Sequence, residues 1–96
     1  MSILTMFQIS GDPDELLAMQ DQKAESLLRP IMEQNGIISN LVVKAENGIM
    51  VVNHWESEEG MEKASAEIRP QMEEAGMPSP ENWRSYEVLR HRQPGN

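Results

Sequence analysis

Hydrophobic positions along this chain alternate between a spacing of two and a spacing of three to four, and each change marks an element. Residues 3–9 are a short β-prone run closed by Ser10-Gly11, which predicts a strand. A helical stripe follows: Leu17, Ala24, Leu28 and Ile31, with Leu16 and Leu27 beside it. Its start is well marked. Asp12 can accept from a free N–H of the first turn. Pro13 suits the first helical position because its missing N–H costs nothing there, and Glu15 stands where a capping box needs a carboxylate. Residues 37–45 and 49–55 read as two further strands. Glu46-Asn47-Gly48 turns between them, because Asn-Gly tolerates the positive φ of a tight hairpin. Ser57 caps a second helix with the stripe Met61, Ala64, Ile68, Met72 and Ala75. Met77-Pro78-Ser79-Pro80 suits neither helix nor strand, and residues 83–90 form the last strand.

Both helical stretches close on the same frame. Arg29-Pro30-Ile31-Met32-Glu33-Gln34-Asn35-Gly36 and Arg69-Pro70-Gln71-Met72-Glu73-Glu74-Ala75-Gly76 share Arg-Pro-x-Met-Glu-x-x-Gly. A proline inside a helix cannot donate to the carbonyl four residues back and disfavours helical geometry before it. A kink or break is therefore expected at Pro30 and at Pro70, then a last turn stopped by Gly36 or Gly76. The frame reads as architecture, two halves related by pseudo-symmetry, and its arginines as surface or inter-element contacts.

The order β-α-β-β-α-β is the ferredoxin-like α+β arrangement: an antiparallel four-stranded sheet with two helices on one face. Period two puts Ile49, Val51, Asn53 and Trp55 on one side of the third strand and Met50, Val52 and His54 on the other. Neither side is mainly charged. Helices cover one face, so the other is expected to meet a second copy, and a chain this small has apolar surface to gain from a dimer. The expected organisation is one domain over residues 1–92 with a flexible tail at 93–96.

Composition narrows the chemistry. Sixteen acidic against eight basic residues give a net charge of -8, which argues against nucleic acid as a partner. Arg84, Arg90 and Arg92 near the end read as solvated strand arginines rather than an anion site. Without cysteine there are no disulfides, thiolate nucleophiles or zinc–thiolate sites. No apolar run suggests a membrane span, and the first residues carry no basic signal-peptide region, so a cytoplasmic location is expected. Two histidines, His54 and His91, give no metal-ligand spacing.

The hairpin Asn47-Gly48-Ile49-Met50-Val51-Val52-Asn53-His54-Trp55-Glu56-Ser57-Glu58-Glu59 resembles the third strand and helix entry of the dimeric α/β-barrel superfamily. It is most similar to the antibiotic biosynthesis monooxygenase branch, in which a strand ends in Trp-x-Ser before acidic residues and a helix. The resemblance implies a homodimer whose sheets form a barrel. It also implies a pocket in each subunit between sheet and helices, walled by the strand tryptophan, for a small apolar or aromatic ligand. On that reading Trp55 and Asn53 line the pocket, and the Asn53 amide can donate to a carbonyl or a developing oxyanion; otherwise Trp55 is a core anchor and Asn53 a strand-end cap. The implied activity is a cofactor-independent oxygenase of aromatic or polyketide-like molecules. The alternatives are a non-catalytic binding module or a polyketide cyclase or isomerase. Haem-degrading relatives use a second-helix histidine and a first-strand asparagine. This chain has Lys63-Ala64-Ser65 and Met6-Phe7-Gln8 there, so neither haem nor another cofactor is expected.

Two further residues are candidates. His54 has the pKa class for acid–base work, but its period directs it away from Trp55, so a structural or interface role is preferred. Tyr86 and Glu87 point to opposite faces of the last strand. Whichever faces the pocket is a candidate donor or base.

Overall fold

Asp12 starts the first helical run as its chemistry dictates. Its backbone is extended, its Oδ2 accepts from the Glu15 N–H at 3.0 Å, and Pro13 is the first helical residue. In a computed structural model of the chain, residues 1–94 are described, apart from the side chains at 23 and 24. The first run has three parts: α1 (Pro13–Met19), a π-helical turn (Gln20–Ala24) and α2 (Glu25–Gln34). The strands are β1 (Ile3–Ser10), β2 (Ile37–Ala45), β3 (Gly48–Trp55) and β4 (Glu81–Glu87), and the other helix is α3 (Glu58–Glu74). All strand pairs are antiparallel, in the order β2-β3-β1-β4. This is the ferredoxin-like βαββαβ arrangement read from the sequence.

The π turn corrects the first stripe. Leu16 is buried (3% exposed) and Leu17 is not (44% exposed). In an unbroken helix Leu17 and Leu28 share a face and Leu16 lies roughly 120° from Leu28. A π turn takes up about one extra residue, so Leu16 and Leu28 come into phase instead. Ala24 of the predicted stripe has its side chain outside the described residues.

The expected breaks at Pro30 and Pro70 are absent. Both prolines lie inside continuous helix, in α2 and α3. Each removes one helical bond, to the carbonyl of Ser26 or Ala66. Both of those residues are exposed, so water can serve the carbonyl in place of the missing N–H. The glycines do end the helices. Gly36 and Gly76 have φ of 84° and 78°. At Gly76 the Gly76 N–H meets the Glu73 carbonyl and the Met77 N–H meets the Met72 carbonyl, both at 3.1 Å, a Schellman stop.

β4 also differs from its expected span of 83–90. It starts earlier because Asn82, at φ 54°, donates to Gln8 Oε1 at 2.9 Å, and Glu81 accepts from Ser10 Oγ at 2.9 Å, across a register shift between Met6 and Gln8. It ends at Glu87 because β1 has no residue left to pair beyond the Val88 N–H to Ser2 carbonyl bond. The His91 ring sits edge-on to His54 with centroids 4.7 Å apart, and Gln93 makes an interaction of its own. Residues 95–96 of the expected tail lie outside the described residues.

The core is divided. One cluster holds Ile9, Leu16, Ile49, Val51 and Met77; the other holds Trp55, Met61 and Ala64, with Ile3, Ile31, Met32, Ile37 and Ile68 packed against it. Between them a polar row crosses the helix-facing side of the sheet, Asn40, Asn53, Thr5 and Ser85, each opposite the next.

Two glycine substitutions separate conformational from steric constraint. A Cβ at Gly76 meets nothing, so Gly76→Ala is expected to cost only the left-handed penalty, about 1 kcal/mol. A Cβ at Gly60 would stand 2.2 Å from the Asn35 carbonyl oxygen, a backbone atom, and would force α3 away from the end of α2. Urea unfolding of Gly60→Ala is expected to give a loss of about 2–3 kcal/mol. Equal losses would contradict this packing.

Candidate functional site

Asn40 and Asn53 of the polar row line a cleft of about 960 Å³ between the sheet and the helices. Such a volume suits a drug-sized aromatic molecule. The floor is Phe7, Val51, Asn53 and Trp55; Leu28 and Met32 of α2 and Ile68 and Met72 of α3 supply apolar walls. Trp83 of β4 closes one side and stacks on Phe7, with centroids 5.2 Å apart and planes 10° apart.

Asn53 and Trp55 are both in this cleft, in different ways. Trp55 is a buried anchor whose Nε1–H donates to Thr5 Oγ1 at 3.2 Å, which satisfies two polar groups inside the core. Asn53 is buried too, and its Oδ1 accepts from Asn40 Nδ2. Its own Nδ2 has no partner among the described residues, nor does Asn40 Oδ1. The pair therefore presents one amide donor and one acceptor to the cleft, on a rigid sheet, beside an aromatic stack. That arrangement can hold a carbonyl, phenol or enolate in place and lower the energy of negative charge on its oxygen.

The other two candidates are elsewhere. Tyr86 stands opposite Leu4 in the register and Glu87 opposite Ile3, so Tyr86 projects from the outer sheet face, half exposed, and Glu87 takes the helix side. His54 also lies on the outer face, opposite Leu4 and Ser39. It is 5% exposed, and its Nε2 is buried without a hydrogen-bond partner among the described residues. Burial, and secondarily the charge of His91, lowers its pKa below the ordinary histidine value. Among the described residues, no group of three or more His, Asp or Glu side chains could hold a metal ion.

The mouth carries charge. Glu25, Arg29 and Glu33 line it from α2, and Arg69 and Glu73 from α3. Arg29 Nε and Nη1 donate to Glu33 and Glu25 at 3.0 and 2.8 Å, and these bonds, Glu33's first, raise its pKa. Phe7 and Trp83 were not among the candidate site residues, and the sequence pattern gave Arg29 and Arg69 only as surface or inter-element contacts. Phe7 was findable, since period two from Ile9 puts it on the helix side; Trp83 was not, because the register shift between Met6 and Gln8 brings it under Phe7.

No protein-family model matches the sequence, and no curated protein matches it. Solved structures do match by shape. A protein of Chloroflexus aurantiacus provisionally named an antibiotic biosynthesis monooxygenase superposes with a TM-score of 0.66 at 12% identity, over 99% of this chain and 100% of that one. SnoaB, a cofactor-independent oxygenase from Streptomyces nogalater, gives 0.62 at 13% identity, over 97% and 95%. A dimeric ferredoxin-like protein from an uncultured marine organism gives 0.74 at 18% identity, over 96% and 97%. The chain has the fold of these antibiotic biosynthesis monooxygenase-like proteins. At such identities the likeness is one of fold. Among the described residues, no helix is long and apolar enough to cross a membrane.

The buried histidine gives a pH test. Folded His54 resists protonation, whereas the unfolded chain accepts a proton near pH 6.5. The unfolded state then binds more protons, so the native state is fully favoured above that pH and loses stability as pH falls through it. The urea midpoint is expected to drop between about pH 7.5 and 5.5, and to drop less in His54→Leu. Equal slopes in the two proteins would contradict a buried neutral His54.

Proposed function

We propose that the chain is a cofactor-independent oxygenase of an aromatic or polyketide-like molecule, and that it works as a homodimer. The observation that carries this reading is the unpaired Asn53 amide donor at the floor of an apolar, aromatic-walled cleft. An activated methylene of the substrate loses one proton, and its carbanion, delocalised onto a neighbouring oxygen, passes electrons to dioxygen to form a peroxide. Loss of water leaves a ketone. One oxygen atom enters the product and the other leaves as water; the two C–H bonds of the methylene supply the four electrons. The protein's share is to exclude water, to orient the ring system against Phe7 and Trp83, and to stabilise the enolate oxygen through Asn53. The fold shared with SnoaB, described as a cofactor-independent oxygenase, supports the reading. His54 and Tyr86 stand on the far side of the sheet, so a cyclase using them as an acid–base pair would have to work outside this cleft.

The dimer rests on the outer sheet face. It exposes Leu41 (58%), Val43 and Tyr86 (50%), around the half-buried Leu4, Met6, Met50 and Val52. An apolar sheet face of this kind needs a cover, and a second copy of the same face supplies one. A structural neighbour is itself described as dimeric.

Two measurements test these readings. Naphthols and hydroxylated anthrones are screened by thermal shift, and each binder is then followed by oxygen uptake. Asn53→Ala is expected to lower turnover by about 10²-fold while the protein stays folded. Unchanged turnover would remove Asn53 from the mechanism, and binding without oxygen use would make the chain a binding module. Light scattering after size exclusion is expected to give twice 10.9 kDa; a mass of 10.9 kDa would contradict the dimer.

A further inference from the structure

The repeated frame extends further than its eight residues, and it fails at one place. The α2 positions that line the cleft are Glu25, Leu28, Arg29, Met32 and Glu33; those of α3 are Ser65, Ile68, Arg69, Met72 and Glu73. Each set has the spacing of a single helical stripe, and the two correspond pairwise at an offset of forty residues. The two halves thus present matched stripes from opposite sides of one mouth. Four of the five pairs are identical or similar. The exception is Glu25 against Ser65.

That exception decides the state of an arginine. Glu25 Oε1 accepts from Arg29 Nη1 at 2.8 Å and Glu33 Oε1 from Arg29 Nε at 3.0 Å, so two carboxylates hold Arg29. The counterpart of Glu25 is Ser65, which has no carboxylate and whose hydroxyl lies 3.8 Å from the Met61 sulfur. Arg69 forms no ion pair or hydrogen bond among the described residues, not even with Glu73 one turn on. The guanidinium of Arg29 across from it is held, whereas that of Arg69 is thus left unpaired at the mouth of the cleft. Its planar fork matches a carboxylate in shape and charge.

We infer that Arg69 is the anion anchor of this cleft and that the ligand is an aromatic carboxylate. The ring system lies over Phe7 and Asn53, and the carboxylate reaches the α3 edge of the mouth. Arg69 is then a specificity-determining residue, available because the repeat departs from symmetry at Ser65. The inference rests on the proposed ligand cleft and adds the chemical class of its occupant.

The test compares 2-naphthoate with the neutral 2-naphthamide by isothermal titration of the full chain, in wild type, Arg69→Gln, Ser65→Glu and Ser65→Ala. The wild type is expected to prefer naphthoate by roughly 5- to 10-fold, the range of a charge-assisted bond at a partly open site. The preference should fall to near unity in Arg69→Gln. It should do the same in Ser65→Glu, where the new carboxylate occupies Arg69 as Glu25 occupies Arg29. Ser65→Ala should retain it. Equal binding of the two probes by wild type would overturn the anchor and leave the cleft reading intact. A preference that survives in Arg69→Gln would overturn the assignment to Arg69. Binding of neither probe would overturn both the anchor and the cleft reading.

Discussion

A row of polar side chains across the helix-facing side of the sheet governs the rest of this structure. Thr5 and Asn53 are buried, and buried polar groups need partners. Thr5 takes the Trp55 N–H, and Asn53 takes the Asn40 amide. These bonds set the level at which the core divides. Below the row Trp55 anchors one apolar cluster against α3; above it Ile49, Val51 and Leu16 form another under α1. Thr5 is closed off within that packing, whereas the Asn40–Asn53 end of the row borders open space. The cleft lies there, with the unused half of the Asn40–Asn53 pair as its floor.

Much of this was legible in the sequence because it depends on local rules. Asp12, Pro13 and Ser57 start helices by side-chain and backbone chemistry that needs no tertiary context. Gly36 and Gly76 stop them by adopting a conformation that other residues resist. Strict alternation placed Asn53 and Trp55 on one face of β3 and His54 on the other. What local rules misjudged were the prolines, which remain in helix because the carbonyls they leave are exposed, and the phase of the first helix. The π turn at Gln20–Ala24 has no signature in the residue pattern, yet it decides that Leu16 rather than Leu17 meets the core.

The site was less legible than the fold, and for a physical reason. Its aromatic wall forms only when β4 pairs with β1 across a register shift, which brings Trp83 to Phe7 from seventy-six residues away. Its charged mouth forms only when the ends of α2 and α3 approach, with Gly60 set against the Asn35 carbonyl. The doubled frame is a consequence of pseudo-symmetry, and it also shapes the site. Both descriptions hold: the symmetry builds two matched edges of one cleft, and the single mismatch between them distinguishes Arg69 from Arg29.

The central claim is that ligand binds on the helix side of the sheet, over Asn53. Side-chain amide signals of ¹⁵N-labelled protein report on this directly, since Asn53 and Asn40 lie in the cleft and the outer face carries Leu41, Val43 and Tyr86. Titration with a naphthalene-sized ligand is expected to shift the Asn53 and Asn40 side-chain amides and the indole N–H of Trp83. Perturbations confined to the backbone amides of Leu41, Val43 and Tyr86, with the Asn53 side chain unmoved, would contradict the account.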